Sequence, residues 1–518
     1  MKSKSFNSTQ PYEYKEVMDN TKPILPIAPQ DELSGQPLLK APIVEEEIRH
    51  IESKKLIADF SDTGGLLKKV FLKEYSTTLP LDDFMAISGY YEGTKYAVEQ
   101  SDDRHIVYSY ENDEYVVKKT YVLSDDDYDI HADIDITNKS KMSKLIDLNI
   151  QGLRLNMSNL NGKNHNNAQT MGGDKSLFEY VVSSENDVYR KNNAFKFSNK
   201  EKRESTGSVR WVGFRDRYFC AISKPIFSTY GYNINPVSDH LLAINIESKG
   251  ITIPPEGNVK FSSLIFVGPE KTHLLAKYKF GFEDIKRYYR MAFFDAVAKM
   301  IYSFMYMLNR FVTNWGICII IMSLLVYSAT YPLTLKSMSS MKKMQALQPK
   351  IAAAKDKHKN NPQKMNSEMM ELYKKHKINP LGGCLPIVLQ MPIFIGLYQV
   401  LWRSVSLKGA SFLWIKDLSE PDRLLIFQNT IPLLGNELNL LPLIMIIIMF
   451  FQQKLTSANM VITDPAQATQ QKMMGIMMPL FMGVVFYKFA SGLTLYFTMF
   501  YFLSTLTQWK MSKGPKAA

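Results

Sequence analysis

The chain has 518 residues, is 46% hydrophobic and carries a formal charge of +12. Its length allows two or three domains. Cys220, Cys318 and Cys384 form no CxxC or Cys/His pattern, which argues against a disulfide framework and a structural zinc site. No nucleophile elbow, phosphate loop or metal-ligand spacing occurs, so the residues offer no catalytic group and no cofactor site.

Residues 1–54 read as a flexible linker or tail, punctuated by Pro23, Pro26, Pro29, Pro37 and Pro42. No apolar run follows the basic start, so no signal peptide is readable. Residues 55–283 read as an all-β antiparallel sandwich, from short alternating segments such as Tyr115–Leu123 and Asp129–Thr137 separated by polar turns. Asp133 and Asp135 look like paired carboxylates beside His131. Two-residue spacing puts them on one strand face opposite Ile130, Ile134 and Ile136, which is the pattern of a solvated face. Cys220, in Tyr218-Phe219-Cys220-Ala221-Ile222, is expected to be a small core residue.

Residues 284–313 are expected to hold an amphipathic interfacial helix, with Phe293, Val297, Met300, Ile301, Phe304, Leu308 and Phe311 at helical spacing. Residues 314–510 read as a polytopic membrane region. A span needs roughly 20 mostly apolar residues, and five candidates lie at about 314–335, 384–403, 437–454, 473–489 and 491–509. Between the first two lies a lysine-rich segment with Lys342, Lys343, Lys350, Lys374 and Lys375, expected to be a cytoplasmic helical hairpin at 337–379. Pro349 should kink or restart its first arm. Positive charge beside a span resists translocation, so the hairpin and the basic tail 511–518 are placed inside and residues 55–283 in the periplasm. The lysines flank spans, which favours membrane anchoring over specific nucleic-acid recognition.

Several runs resemble the YidC family of membrane protein insertases. They are Tyr373-Lys374-Lys375-His376-Lys377-Ile378-Asn379-Pro380-Leu381-Gly382-Gly383-Cys384-Leu385-Pro386, Gln390-Met391-Pro392-Ile393-Phe394, Tyr331-Pro332-Leu333-Thr334 and Ser491-Gly492-Leu493-Thr494-Leu495-Tyr496. Trp211-Val212-Gly213, Thr63-Gly64-Gly65 and Val267-Gly268-Pro269-Glu270 are similar to the family's periplasmic domain. The resemblance implies a bacterial inner-membrane insertase and chaperone, not an enzyme, without cofactor, acting alone or with the Sec translocon. It implies a hydrophilic groove among five spans, open to cytoplasm and lipid, that receives nascent membrane proteins. Residues expected to hydrate that groove are Ser323, Tyr327, Ser328, Thr330, Gln390, Tyr398, Gln452, Thr494 and Tyr496. The hairpin's Met338, Met341, Lys342, Lys343, Met365 and Met369 are expected to contact substrate and, weakly, the ribosome.

Two departures stand out. Most members carry an arginine inside the first groove span where this chain has Tyr327, and Tyr327→Arg is expected to preserve or improve insertion of acidic segments. Gram-negative members begin with an anchor span not readable in residues 1–54, so the chain is expected to be truncated. The alternatives are a secondary transporter, disfavoured by the lack of internal repeats and buried charge, and an envelope-binding protein working through the β domain. Hydrogen-bonding glue between helices is an alternative role for any one of the polar span residues.

Overall fold

The computed structural model describes residues 46–88, 93–156, 178–185, 187–192, 197, 202–358, 361–376, 385–431, 435–458 and 465–513. Most of the expected tail, the turn at Asn360 and the motif run from Lys377 to Cys384 lie outside them, as do the side chains of Met341 and Lys342.

Alternating sequence becomes antiparallel sheet throughout the first half. One nine-stranded sheet runs in the order Val188–Asn192, Glu179–Ser184, Val209–Arg215, Phe219–Pro225, Asn258–Pro269, Asp129–Asn138, Tyr115–Leu123, His105–Glu111, Ala97–Ser101. A five-stranded sheet is ordered Arg203–Thr206, Gly231–Ser238, Leu241–Ile253, Lys144–Asn156, Ile87–Ser88. Their facing residues, among them Val212, Phe214, Ile244 and Ile246, fill one core, while Trp211 lies on the other face of the nine-stranded sheet against Phe282. The packing is close enough that a Cβ on Gly152 would lie 3.0 Å from Val212 of the other sheet.

A third sheet begins at Ile48–Glu52, inside the stretch read as linker. Only Ile51 of that edge strand is buried, so it shows no apolar alternation to betray it. Asp133 and Asp135 are partly exposed between buried Ala132, Ile134 and Ile136, and Asp133 pairs with Lys260 at 2.8 Å. Cys220 is fully buried in the core.

Eight helices follow the described strands of that half: α1 (Thr272–Ala276), α2 (Ala292–Phe311), α3 (Trp315–Lys357), α4 (Pro362–Lys375), α5 (Leu385–Arg403), α6 (Leu440–Ala458), α7 (Pro465–Phe486) and α8 (Ser491–Lys513). The apolar face of α2 divides. Ala298, Ile301, Tyr302 and Met305 are buried, with Ile301 and Val297 against Gly396 of α5, while Phe293, Met300 and Phe311 stay exposed. Residues 284–291 are not helical beyond the 3₁₀ turn Phe282–Ile285, so the helix starts later than expected.

Helix α3 runs unbroken for 43 residues through Pro332 and Pro349, which corrects the expected restart at Pro349. Its far end pairs with α4. Leu347 and Ile351 pack against Met344, Met369, Leu372 and Tyr373, and Glu368 bridges Lys357 and His358. Asn361 caps α4 by accepting from the Lys364 N–H at 3.1 Å, with Pro362 at the first helical position.

By length and apolarity, one helix among the described residues can cross a membrane, Trp315–Ser340, while 440–455 and 475–486 are shorter apolar helices. Helix α8 falls below that measure because it is rich in hydroxyls. These turn back on their own helix: Thr498 donates to Thr494 O at 2.7 Å and Thr505 to Tyr501 O at 2.7 Å.

Gly268, in the run Val267-Gly268-Pro269-Glu270, has no room for a side chain. A Cβ there would sit 2.8 Å from the Cβ of Tyr128 and 2.9 Å from the Phe266 ring. We expect Gly268→Ala to destabilise the β half by about 1–3 kcal/mol, read as a lower denaturant midpoint by tryptophan fluorescence. An unchanged midpoint would contradict this packing.

Candidate functional site

Helices α3, α6 and α8 pack together, and their polar side chains meet along the contact. Tyr327 Oη donates to Thr507 Oγ1 at 2.6 Å, and Gln452 Nε2 donates to Ser504 Oγ at 2.9 Å. A rise of 1.5 Å per residue puts Tyr327 roughly 18 Å along α3 and Thr507 roughly 24 Å along α8. Tyr327 is therefore midway along the apolar stretch Trp315–Ser340, beside the last third of α8. Ser323, Thr330 and Thr494 are buried in the same bundle and donate to carbonyls of their own helices. Tyr496 Oη is buried without a hydrogen-bond partner of normal geometry, and the Gln390 carboxamide is the polar group facing it.

Two expected groove residues stand apart. Ser328 is exposed. Tyr398 lies in an aromatic group with Trp402 and Phe489, ring centroids 5.3 and 5.8 Å away. In the hairpin, Met369 packs between the arms, Met338 and Met365 are half-buried, and Lys343 is exposed.

The outside of the helical half is apolar. Met473, Ile476, Met477, Met478, Leu480, Phe481 and Val484 of α7 are all exposed, with Ile447 and Phe451 of α6 beside them. A face of this size suits lipid and not water. From Trp315 to Leu335, Leu385 to Trp402, Leu440 to Gln453, Met473 to Phe486 and Ser491 to Trp509 the sequence has no charged residue.

Sequence reasoning missed the ionic junction that joins the β half to the helices. Arg215 is completely buried. Its Nε lies 2.6 Å from Glu270 and its Nη1 3.4 Å from Glu179, and Nη1 also donates to Arg287 O at 2.8 Å. Burial pulls this guanidinium's pKa down, but Glu270 and Glu179 more than offset that and hold it above the ordinary arginine value.

Arg217 reaches further. It donates to Trp402 O at 2.8 Å and to Ser419 O at 3.0 Å, with its guanidinium 4.6 Å from the centre of the Tyr218 ring. Tyr289 Oη donates to Ile395 O at 2.8 Å, and Asp295 of α2 accepts from the Tyr288 N–H at 2.7 Å. The signal was present as Arg215-Asp216-Arg217, three consecutive charges between the mostly apolar runs Trp211–Phe214 and Tyr218–Ile222. Gly213 makes the approach possible, since a Cβ there would meet Ile285 at 2.9 Å.

Lys286 is buried in this junction, its ammonium 3.7 Å from the centre of the Tyr302 ring. Burial pushes it down to about 8, against the pull of Glu270. A free lysine holds its proton to about pH 10.4. Between these two values the unfolded chain binds more protons than the fold, so the Lys286 contribution to stability rises with pH. We expect the thermal midpoint to rise from pH 8 to 10 relative to that of Lys286→Met; parallel profiles would refute it. The Tyr327–Thr507 bond is tested by a cycle of Tyr327→Phe and Thr507→Val. A coupling of about 0.5–1.5 kcal/mol in detergent is expected, and strict additivity would show that the two groups do not interact.

Comparison with known proteins agrees with this architecture. Residues 307–517 match the 60Kd inner membrane protein family and residues 88–302 the YidC periplasmic domain. A relative from Chlorobium luteolum named membrane protein insertase YidC is 36% identical over 61% of this chain and 54% of its own length. One of the same name from Janthinobacterium sp. is 32% identical over 92% of this chain and 83% of its own length. The solved structure of an active YidC insertase is similar at 19% identity and TM-score 0.40, over 91% of this chain and 94% of that one. The chain spans about half the length of the first curated relatives it matches. With 92% of this chain aligned to the Janthinobacterium relative at 32% identity, the chain belongs to the YidC family.

Proposed function

We propose that this chain is an inner-membrane protein insertase and chaperone that performs no chemical step. The observation that carries the reading is the polar seam between α3, α6 and α8, set inside a bundle with an apolar exterior. Leaving a polar group unsatisfied in hydrocarbon costs several kcal/mol, so a nascent chain's polar segment needs partners part of the way across. Hydrogen bonds such as Tyr327–Thr507 and Gln452–Ser504 are worth about 1 kcal/mol each, and a passing polar group can exchange them. Apolar segments would then leave along the exposed faces of α6 and α7 into lipid.

In this reading α3, α5, α6, α7 and α8 are five spans around a groove open toward the hairpin. Ser323, Tyr327, Thr330, Gln390, Gln452, Thr494 and Tyr496 contribute polarity, with Ser328 and Tyr398 at its margins. The hairpin and C-terminus face the cytoplasm and the β domain the periplasm. The hairpin's lysines and methionines, Met338, Met341, Lys342, Lys343, Met365 and Met369 among them, would meet nascent chains, the ribosome and the Sec translocon. With no charged residue in those five stretches, attraction in the groove rests on hydrogen bonds and not on a fixed cation.

The test uses proteoliposomes containing only the full chain and a short substrate with one or two spans. Protection of the translocated segment from protease well above that in empty liposomes is expected. Baseline protection that recovers in Tyr327→Arg would place the missing element in the groove. Baseline protection in both would overturn autonomous insertion.

A further inference from the structure

A cleft of about 430 Å³ opens where the strand Val188–Asn192, the linker ahead of α2 and the last residue of α5 meet. Arg190, Arg287, Arg290 and Arg403 line it, against one carboxylate, Glu179. That carboxylate is already committed, 3.4 Å from Arg215 and 3.7 Å from Arg190. Among the described residues no carboxylate lies within ion-pair distance of Arg287, Arg290 or Arg403.

Neutral carbonyls hold three of the guanidiniums. Arg190 donates to Ile285 O at 3.0 Å, Arg287 to Tyr289 O at 2.9 Å and Arg403 to Arg287 O at 3.0 Å. Such bonds fix the position of a charge without cancelling it. Arg403 Nε is buried with no hydrogen-bond partner in the fold. Three positioned guanidiniums, with the exposed Arg290 at the rim of the same cavity, match the oxygens of a phosphate, which planar N–H forks bind in pairs.

The neighbourhood selects the source of that phosphate. Arg290 stands three residues before Phe293, which is 61% exposed, and the same helix exposes Met300 at 65%. An amphipathic helix in the interface buries such side chains at the boundary of headgroups and acyl chains. A lipid phosphate in the cleft would therefore place its chains along α2.

We propose that this cleft binds the phosphate of an anionic phospholipid headgroup and so seats the periplasmic domain on the membrane surface. The proposal rests on the membrane reading above. The experiment is native mass spectrometry of the full chain released from nanodiscs of phosphatidylglycerol or phosphatidylcholine, with flotation on vesicles of both compositions as a control.

Retention of phosphatidylglycerol by the wild type is expected, weakened roughly tenfold in the double variant Arg287→Gln/Arg290→Gln, which is about 1.4 kcal/mol. Arg290→Gln alone, at an exposed position, should show a smaller loss with unchanged thermal unfolding. Equal retention by wild type and both variants, with flotation intact, would overturn the lipid site and leave the membrane reading standing. Failure of the wild type to float would remove both. Displacement of the lipid effect by inorganic phosphate would overturn the headgroup assignment in favour of a soluble phosphate.

Discussion

The guanidinium of Arg215 sits at the point where both halves of the molecule meet. It is wholly buried, pairs with Glu179 of the nine-stranded sheet and with Glu270 just past the strand Asn258–Pro269, and holds the carbonyls of Ile285 and Arg287 in the linker ahead of α2. A charge taken this far from water is tolerable only with its hydrogen-bonding capacity met. That demand ties three strands and the linker to one geometry. Removing a single partner would leave a buried charge uncompensated, whereas exchanging the whole group for apolar residues need not be costly. The ionic cluster therefore specifies how the linker runs more than it adds stability.

From that point the path to α5 is short. Arg217 follows two residues later and grips the carbonyls of Trp402 and Ser419, so the β half reaches both the end of α5 and the loop beyond it. That loop is itself built into the bundle. Asp422 accepts from the Leu440 and Leu441 N–H groups at 2.8 and 2.9 Å, satisfying the start of α6, and from Trp414 Nε1 at 3.0 Å. Ser491 and Gly492 at the start of α8 donate to Glu420 O and Leu418 O. Three helix ends are thus held from one side, and the far side is left to the hairpin.

The first arm of the hairpin is a continuation of α3, because its buried residues Leu347, Ile351 and Ala354 keep the helical period across Pro349. Tertiary support of this kind outweighs the loss of one backbone hydrogen bond at a proline. Along the bundle, polarity is used sparingly. Thr330, Thr494, Thr498 and Thr505 bond to their own helices and Tyr327 to a neighbour, while Tyr496 Oη is left without a partner of normal geometry among the described residues.

Much of this was legible in the chain alone. Alternation of Ile130, Ile134 and Ile136 with His131, Asp133 and Asp135 determined a half-buried strand, since a side-chain period of two leaves no other choice. The Met and Leu stripes on either side of Asn361-Pro362 predicted two helical arms, and Leu347 and Ile351 do pack against Met369, Leu372 and Tyr373. What the sequence could not assign was partnership at a distance. Nothing local says that Tyr327 bonds to Thr507, 180 residues away, or that Arg217 bonds to Trp402 and Ser419. The edge strand Ile48–Glu52 was hidden because an exposed strand carries little apolar pattern, and the division of the α2 face was hidden because period alone cannot tell a lipid-facing side from a helix-facing one. Periodicity is a property of neighbours along the chain, whereas hydrogen bonds and buried charge are settled only when distant segments exclude water from the same place.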